Sequence, residues 1–221
     1  MIKVAILGDI GSGKTFVSNK FGYPVFNADK EVANIYKKNK ACFLRLKKKF
    51  PKFINTYPID KNELKNLILE NPSNIKKISK IVHPLVRLEM KRFLRRNAKK
   101  KMVILDIPLY IENQLNQRKD ILIYVDAKKK EIEKRLKKRK GYNKKILESL
   151  KKIQMPKSKK KKKADYIIKN TFNPSKLNKN INNIKTFEEL KKMFFKNKKN
   201  INDNLTKDQT TVQYLTRQIS R

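Results

Sequence analysis

The chain has 221 residues, 38% of them hydrophobic, enough to bury a core in one medium domain or two small ones, which excludes a wholly disordered polypeptide. Its 58 Lys and Arg outnumber 19 Asp and Glu, giving a formal net charge of +39, and its single cysteine, Cys42, excludes an intramolecular disulfide framework. No segment approaches the roughly 18 consecutive apolar residues that span a bilayer, so a soluble, cytoplasmic protein without a membrane partner is expected.

The first apolar run, residues 3–7, reads as a short strand. Gly8-Asp9-Ile10-Gly11-Ser12-Gly13-Lys14-Thr15 follows and fits G-x-x-x-x-G-K-[ST]; residues 16–21 continue as a helix, completing the setting this phosphate-binding motif requires. Three of the five glycines, Gly8, Gly11 and Gly13, lie in this stretch, where they let backbone N–H groups turn inward around phosphate oxygens. Lys14 is expected at the β- and γ-phosphates of a nucleotide, and Thr15 on a Mg²⁺ ion bridging them. The positive end of the helix adds to the cradle.

Residues 23–26 form the next predicted strand, which leads into Asn27-Ala28-Asp29. Asp29 thus stands near the place where the loop presents a γ-phosphate and is a candidate general base. Its competing role is as the N-cap of a helix starting at Lys30. Helical patterns cover residues 30–37, 42–49, 63–69 and 75–96, with Asp60 and Glu63 as a capping box. The stretch from Asp60 to Arg96 contains no strand; it reads as an insertion beside the nucleotide core, split at His83-Pro84, with room for a second substrate. His83 on its own reads as a packing or hydrogen-bonding residue.

Residues 102–107 and 121–125 are nearly continuous apolar runs, as central strands buried on both faces should be. The first contains Val103-Ile104-Leu105-Asp106, like a Walker B segment, and Ile107 stands where a water-activating Glu would favour hydrolysis; phosphoryl transfer is therefore expected. Helices are expected at 129–139 and 144–153. Arg135 and Arg139 share one face of the first, either as solvated surface or as lid arginines over a transferring phosphoryl group, and Gly141 offers the lid a bend.

The lysine run at 157–163, broken only by Ser158, reads as a solvated loop. Residues 166–168 give a fifth strand, and Thr186 with Glu189 a second capping box. The whole pattern predicts an α/β fold: a mostly parallel five-stranded sheet flanked by helices, with ligands at the carboxyl ends of the strands. Lysine is spread through every segment rather than gathered on one face, so composition itself accounts for the charge and no specific nucleic-acid partner is expected. Cys42 and His83 form no zinc-ligand pattern, and any metal should arrive with a ligand.

Several segments together resemble the dephospho-coenzyme A kinase family of P-loop nucleotide kinases. They are the loop ending Gly11-Ser12-Gly13-Lys14-Thr15, then Asn27-Ala28-Asp29, His83-Pro84 with Arg87, and Leu105-Asp106-Ile107-Pro108-Leu109 with Glu112. Arg135 with Arg139, then Gln154, and Ala164-Asp165 with Asn170 complete the series, in order across residues 1 to about 175. The resemblance implies ATP-dependent phosphorylation of the ribose 3′-hydroxyl of dephospho-coenzyme A to coenzyme A and ADP, the last step of coenzyme A biosynthesis. It implies a P-loop NTPase fold over residues 1–195, with a core at about 1–58 and 98–195, a helical substrate-binding insertion at 59–97 and a lid at 136–155; residues 196–221 have no match and weak periodicity and are expected to be a flexible tail.

By the same resemblance Asp29, Lys14 and Arg139 would be catalytic. Gly11, Ser12, Gly13, Lys14, Thr15, Phe16, Arg139 and Asn170 would bind ATP, with Asn170 approaching the adenine. Asp29, His83, Arg87, Asp106, Pro108, Leu109 and Glu112 would meet dephospho-coenzyme A, and Thr15 would hold Mg²⁺. A monomer or weak oligomer is expected. Another small-molecule or nucleotide kinase, or a nucleic-acid-stimulated NTPase, is the alternative. The chain departs from the family pattern at Leu7, usually Thr-like, at Asp9, usually a second glycine, and at Asn27, usually Asp. A carboxylate at position 9 repels phosphate unless it turns away or meets a lysine.

Overall fold

The structure, a computed structural model, describes residues 1–139 and 142–182 and position 192. Gly141, the Thr186 to Glu189 capping box and the segment from 196 lie outside the described residues. Ile2–Gly8 (β1), Val25–Asn27 (β2), Met102–Asp106 (β3), Ile121–Ala127 (β4) and Tyr166–Asn170 (β5) form one sheet in the order β2-β3-β1-β4-β5. Every pairing is parallel.

Alternation along the strands covers both faces of the sheet. Val4 and Ile6 of β1 join a cluster with Val17, Phe21, Leu177 and Ile181, from helices Lys14–Lys20 (α1) and Pro174–Asn182 (α9) or the turn just after α1. Ala5 and Leu7 point the other way, into a cluster with Phe26, Leu105 and Tyr124, against which Met90 and Phe93 of Asn74–Arg96 (α5) pack. Beside this core, Ala28–Lys38 (α2), Lys40–Lys49 (α3), Lys61–Glu70 (α4) and α5 enclose an apolar cluster of their own, including Ile35, Phe43, Leu46, Leu67, Ile78 and Val82. The helical layer therefore draws on α2 and α3 as well as on the stretch at 59–97. Among the described residues no helix is long and apolar enough to cross a membrane.

Four local expectations are corrected. The helix α5 runs unbroken through Pro84, because Val82 and Val86 on either side pack into the same apolar cluster and hold the axis despite the missing N–H. Asp60 caps α4, accepting from Asn62 N at 3.0 Å, but Glu63 turns away from it and accepts from the Asn55 and Thr56 N–H groups at 3.0 and 3.1 Å, so only half the capping box forms. The helix after β4, Lys129–Lys137 (α6), stops two residues short of Arg139. The lysine run is no loop: Lys157–Lys163 is a helix (α8), which follows Lys144–Lys152 (α7).

Candidate active site

The parallel register brings three chain segments to one edge of the sheet. Asn27 lies opposite Asp106 in the pairing of β2 with β3, and Gly8 lies opposite Val125 in that of β1 with β4, so the phosphate loop, Asn27-Ala28-Asp29 and Asp106 all emerge at the carboxyl ends of neighbouring strands. Gly13, at φ 93°, turns the loop into α1; a Cβ there would run into the Asn170 side-chain amide. Gly11, at φ 84°, comes so close to Leu136 of α6 that a Cβ would sit 3.0 Å from its Cγ. Both positions require glycine for conformation and for space.

Lys14 Nζ donates to the Gly8 and Asp9 carbonyls, each at 3.0 Å, which folds it back along its own loop. Burial pushes its ammonium below the ordinary lysine range, while Asp106 pulls the other way. Thr15 Oγ1 and Asn27 Nδ2 both donate to Asp106 Oδ2 at 2.6 Å. Asp106 is 3% exposed. Burial lifts its carboxyl above the usual range, against the Thr15 bond, Lys14 and the Asn27 bond. The Ser12 hydroxyl is fully buried and has no hydrogen-bond partner among the described residues.

These features test whether the residues fit a phosphate and a metal. The orphan Ser12 hydroxyl lies inside a loop too tight for a Cβ at Gly8, where Ser12 Oγ itself would be 2.5 Å away. A hydroxyl and a carboxylate, Thr15 and Asp106, stand together as hard oxygen donors of the kind Mg²⁺ takes alongside phosphate oxygens. The donor set fits.

The role of cap falls to Asn27, whose Oδ1 accepts from Lys30 N at 2.8 Å. Asn27 thus serves α2 and Asp106 at once, and Asp29, at the second position of α2, is relieved of capping. Asp29 lies beside an apolar cavity of about 390 Å³, which His83, Arg87, Pro108 and Leu109 also line. Desolvation raises its carboxyl above the ordinary range and Asp106 adds to this, while Lys14 and Arg139 oppose it. Arg139 is therefore within electrostatic reach of Asp29. Arg135, in contrast, stacks its guanidinium on the Phe172 ring at 4.5 Å, and because α6 ends at Lys137, before Arg139, the two arginines do not share one helical face. His83 is held below the ordinary histidine range, first by burial and then by Arg87. Phe16 is exposed, with Lys20 Nζ over its ring at 5.4 Å.

Asn170 is 4% exposed and uses both ends of its amide: Nδ2 donates to Ser12 O at 2.7 Å and Oδ1 accepts from Phe172 N at 2.8 Å. It clamps β5 to the phosphate loop. Glu112 Oε1 accepts from Met155 N at 3.0 Å while Glu112 also lines a second cavity with His83 and Arg87. The segment carrying Pro108, Leu109 and Glu112 is pinned by buried Asp120, which accepts from Tyr110 Oη and Gln117 N at 2.7 Å and pairs with Lys3 at 2.8 Å. Sequence reasoning passed over this network, whose only signal was an acid just before an apolar strand.

The dephospho-CoA kinase family model, CoaE, matches residues 2–175. The dephospho-CoA kinase of Wolbachia pipientis wMel is 31% identical over 170 residues, which is 75% of this chain and 87% of that protein. That of Zymomonas mobilis is 31% identical over 176 residues, 78% of this chain and 89% of its own length. Among solved structures, TT1252 from Thermus thermophilus superposes with a TM-score of 0.67 at 30% identity, covering 83% of this chain and 95% of that one. Dephospho-CoA kinase from Campylobacter jejuni shares the fold, with a TM-score of 0.57 at 22% identity over 82% of this chain and 94% of that one. With a parallel sheet, a complete phosphate loop and sequence likeness over most of its length, the chain belongs to the dephospho-CoA kinase family.

Proposed function

We propose that the protein transfers the γ-phosphoryl group of ATP to the ribose 3′-hydroxyl of dephospho-coenzyme A, giving coenzyme A and ADP. The observation that carries this is the position of Asp29. It lies within the field of Lys14 and Arg139 on one side and on the wall of the apolar cavity on the other. A carboxylate between a phosphate cradle and an acceptor pocket is where phosphoryl transfer to an alcohol needs a base.

In this mechanism Asp29 accepts the proton of the 3′-hydroxyl as its oxygen bonds to the γ-phosphorus and the β–γ bridging bond breaks. Lys14 and Arg139 neutralise charge on the transferring group. Gly11, Ser12, Gly13 and Phe16 at the start of α1 form the nucleotide cradle, and Asn170 serves ATP binding by holding that cradle in shape. His83, Arg87, Pro108, Leu109 and Glu112 receive the acceptor, and the apolar wall from α4 and α5 suits the uncharged arm of dephospho-coenzyme A. Thr15, positioned by Asp106, would hold Mg²⁺, which when bound neutralises phosphate charge. We place the enzyme in the cytoplasm as a monomer or weak oligomer, with the domain and lid limits given above and a helical acceptor layer that takes in α2 and α3 besides residues 59–97. An acceptor panel tests the proposal: ATP consumption should rise with dephospho-coenzyme A and not with nucleoside monophosphates, RNA or DNA. Preference for a monophosphate, or hydrolysis stimulated by nucleic acid, would overturn it.

A further inference from the structure

The acid in the phosphate loop meets a lysine. Lys160, in the middle of α8, is 2% exposed, one of the few buried charged side chains among the described residues. Its Nζ stands 3.3 Å from Asp9 Oδ1 and 3.5 Å from Glu112 Oε1. Glu112 Oε1 in turn accepts from Met155 N at 3.0 Å, just past α7. Asp9 faces inward through its backbone as well, its carbonyl taking Ser12 N and Lys14 Nζ, each at 3.0 Å. Its carboxylate also acts on the Tyr124 hydroxyl of β4.

A buried ammonium is costly unless it is paired, and this one has two carboxylates from different parts of the fold. One belongs to the loop that cradles phosphate and the other to the segment on the acceptor side. The arrangement answers a specific difficulty of this chain, an acid inside the loop that cradles phosphate. An uncompensated carboxylate at position 9 would repel a triphosphate at close range in a partly desolvated site. Held by Lys160, which it shares with Glu112, its charge is partly offset.

We infer that Lys160 is a positioning residue of the ATP site: it offsets the charge of Asp9 so that a triphosphate can occupy an acid-bearing loop, and it ties that loop to Glu112. The inference rests on the proposed binding of ATP at the loop. Asp9 and Lys160 should therefore be coupled, and a double-mutant cycle isolates the coupling.

The test measures MgATP dissociation constants by titration calorimetry for the wild type, Lys160→Met, Asp9→Asn and the double variant, each at low and high salt. Lys160→Met, with Asp9 left unpaired, should weaken MgATP binding about tenfold or more. Adding Asp9→Asn should return it to within about threefold of wild type. Asp9→Asn alone, which removes one negative charge beside the phosphate cradle and leaves Lys160 paired with Glu112, should tighten binding about twofold or more, most at low salt. A Lys160→Met protein that binds as wild type does, or a loss that Asp9→Asn leaves uncorrected, overturns the inference; the latter would mark Lys160 as merely structural. If Lys160→Met is insoluble, Lys160→Gln takes its place in the same cycle, with the same expected loss and the same rescue by Asp9→Asn. Failure of the wild type to bind MgATP would sink the ATP site itself, a different outcome.

Discussion

Asn170 offers the sharpest separation between holding the phosphate loop and touching the base. Asn170→Ala removes a donor at 2.7 Å from the carbonyl of fully buried Ser12 and an acceptor at 2.8 Å from the half-buried Phe172 N–H. A buried group that loses its partner costs about 1–3 kcal/mol, and a group that water can reach costs about 1 kcal/mol or less. The two together give about 1–4 kcal/mol of lost stability. For a chain of this size that is a fall in melting temperature of about 3–15 °C. Phe172, at φ 60°, also loses a constraint on its backbone, and with it the platform on which Arg135 stacks. If the amide acts through the loop, affinity for ATP, GTP and ADP should fall by a common factor, since all three use the same cradle. Thermal unfolding with calorimetric titration of the three nucleotides reads both effects. A melting temperature within about 2 °C of wild type, with ATP affinity falling while that for GTP holds, would refute the clamp and make Asn170 a base contact.

Further predictions concern the transfer step and the cradle. Asp29→Asn should lower kcat about 10²–10⁴-fold with little change in either KM, in steady-state assays of ADP release. Asp29 must be deprotonated to act, and its carboxyl is raised by desolvation and by Asp106. Activity should therefore be lost as pH falls through a value above the ordinary carboxylate figure of about 4, and an acid limb at or below about 4 would contradict the assignment. Gly13→Ala, forced into φ 93° and against Asn170, should weaken MgATP binding at least about tenfold by titration calorimetry. Thr15→Ala removes the hydroxyl beside Asp106 and should raise the Mg²⁺ concentration for half-maximal activity about tenfold; an unchanged MgCl₂ titration would exclude Thr15 as the metal's ligand.

Much of the site was legible because its chemistry is local in sequence. Gly8 through Thr15 needs only the spacing of glycines, a lysine and a hydroxyl between an apolar run and a helix, and the structure builds that element as read. Asp106 was legible as an acid ending a buried strand. Its two partners were not, because Thr15 and Asn27 reach it from other strands' ends through the parallel register. Pro84 misled for the opposite reason: a local rule for breaking helices yields where apolar packing on both sides holds the axis. The roles of Asn27 and Asp29 could not be divided from the sequence, since either side chain can cap α2 and only geometry shows which does.

The lysine run shows where pattern reading fails in physical terms. A buried helix face is sought as apolar residues at i, i+3 and i+4, and residues 157–163 contain none. Yet Lys157, Lys160 and Lys161 stand at that spacing and face acids: Lys157 and Lys161 pair with Asp126 at 2.7 and 2.6 Å, and Lys160 with Asp9 and Glu112. Lys159, Lys162 and Lys163 are exposed, and Lys157 reaches Asp126 from the exposed rim of the helix. The run is an amphipathic helix whose inner stripe is cationic and whose partners are scattered along the chain, so neither hydropathy nor local charge count could separate it from a solvated loop. Asp126 is the counterpart: burial pushes its carboxyl up, and Lys157 and Lys161 outweigh this and hold it low. The high net charge and the glycine-rich loop thus converge on one place, where a fraction of the lysines is consumed in fixing the acids around the phosphate cradle.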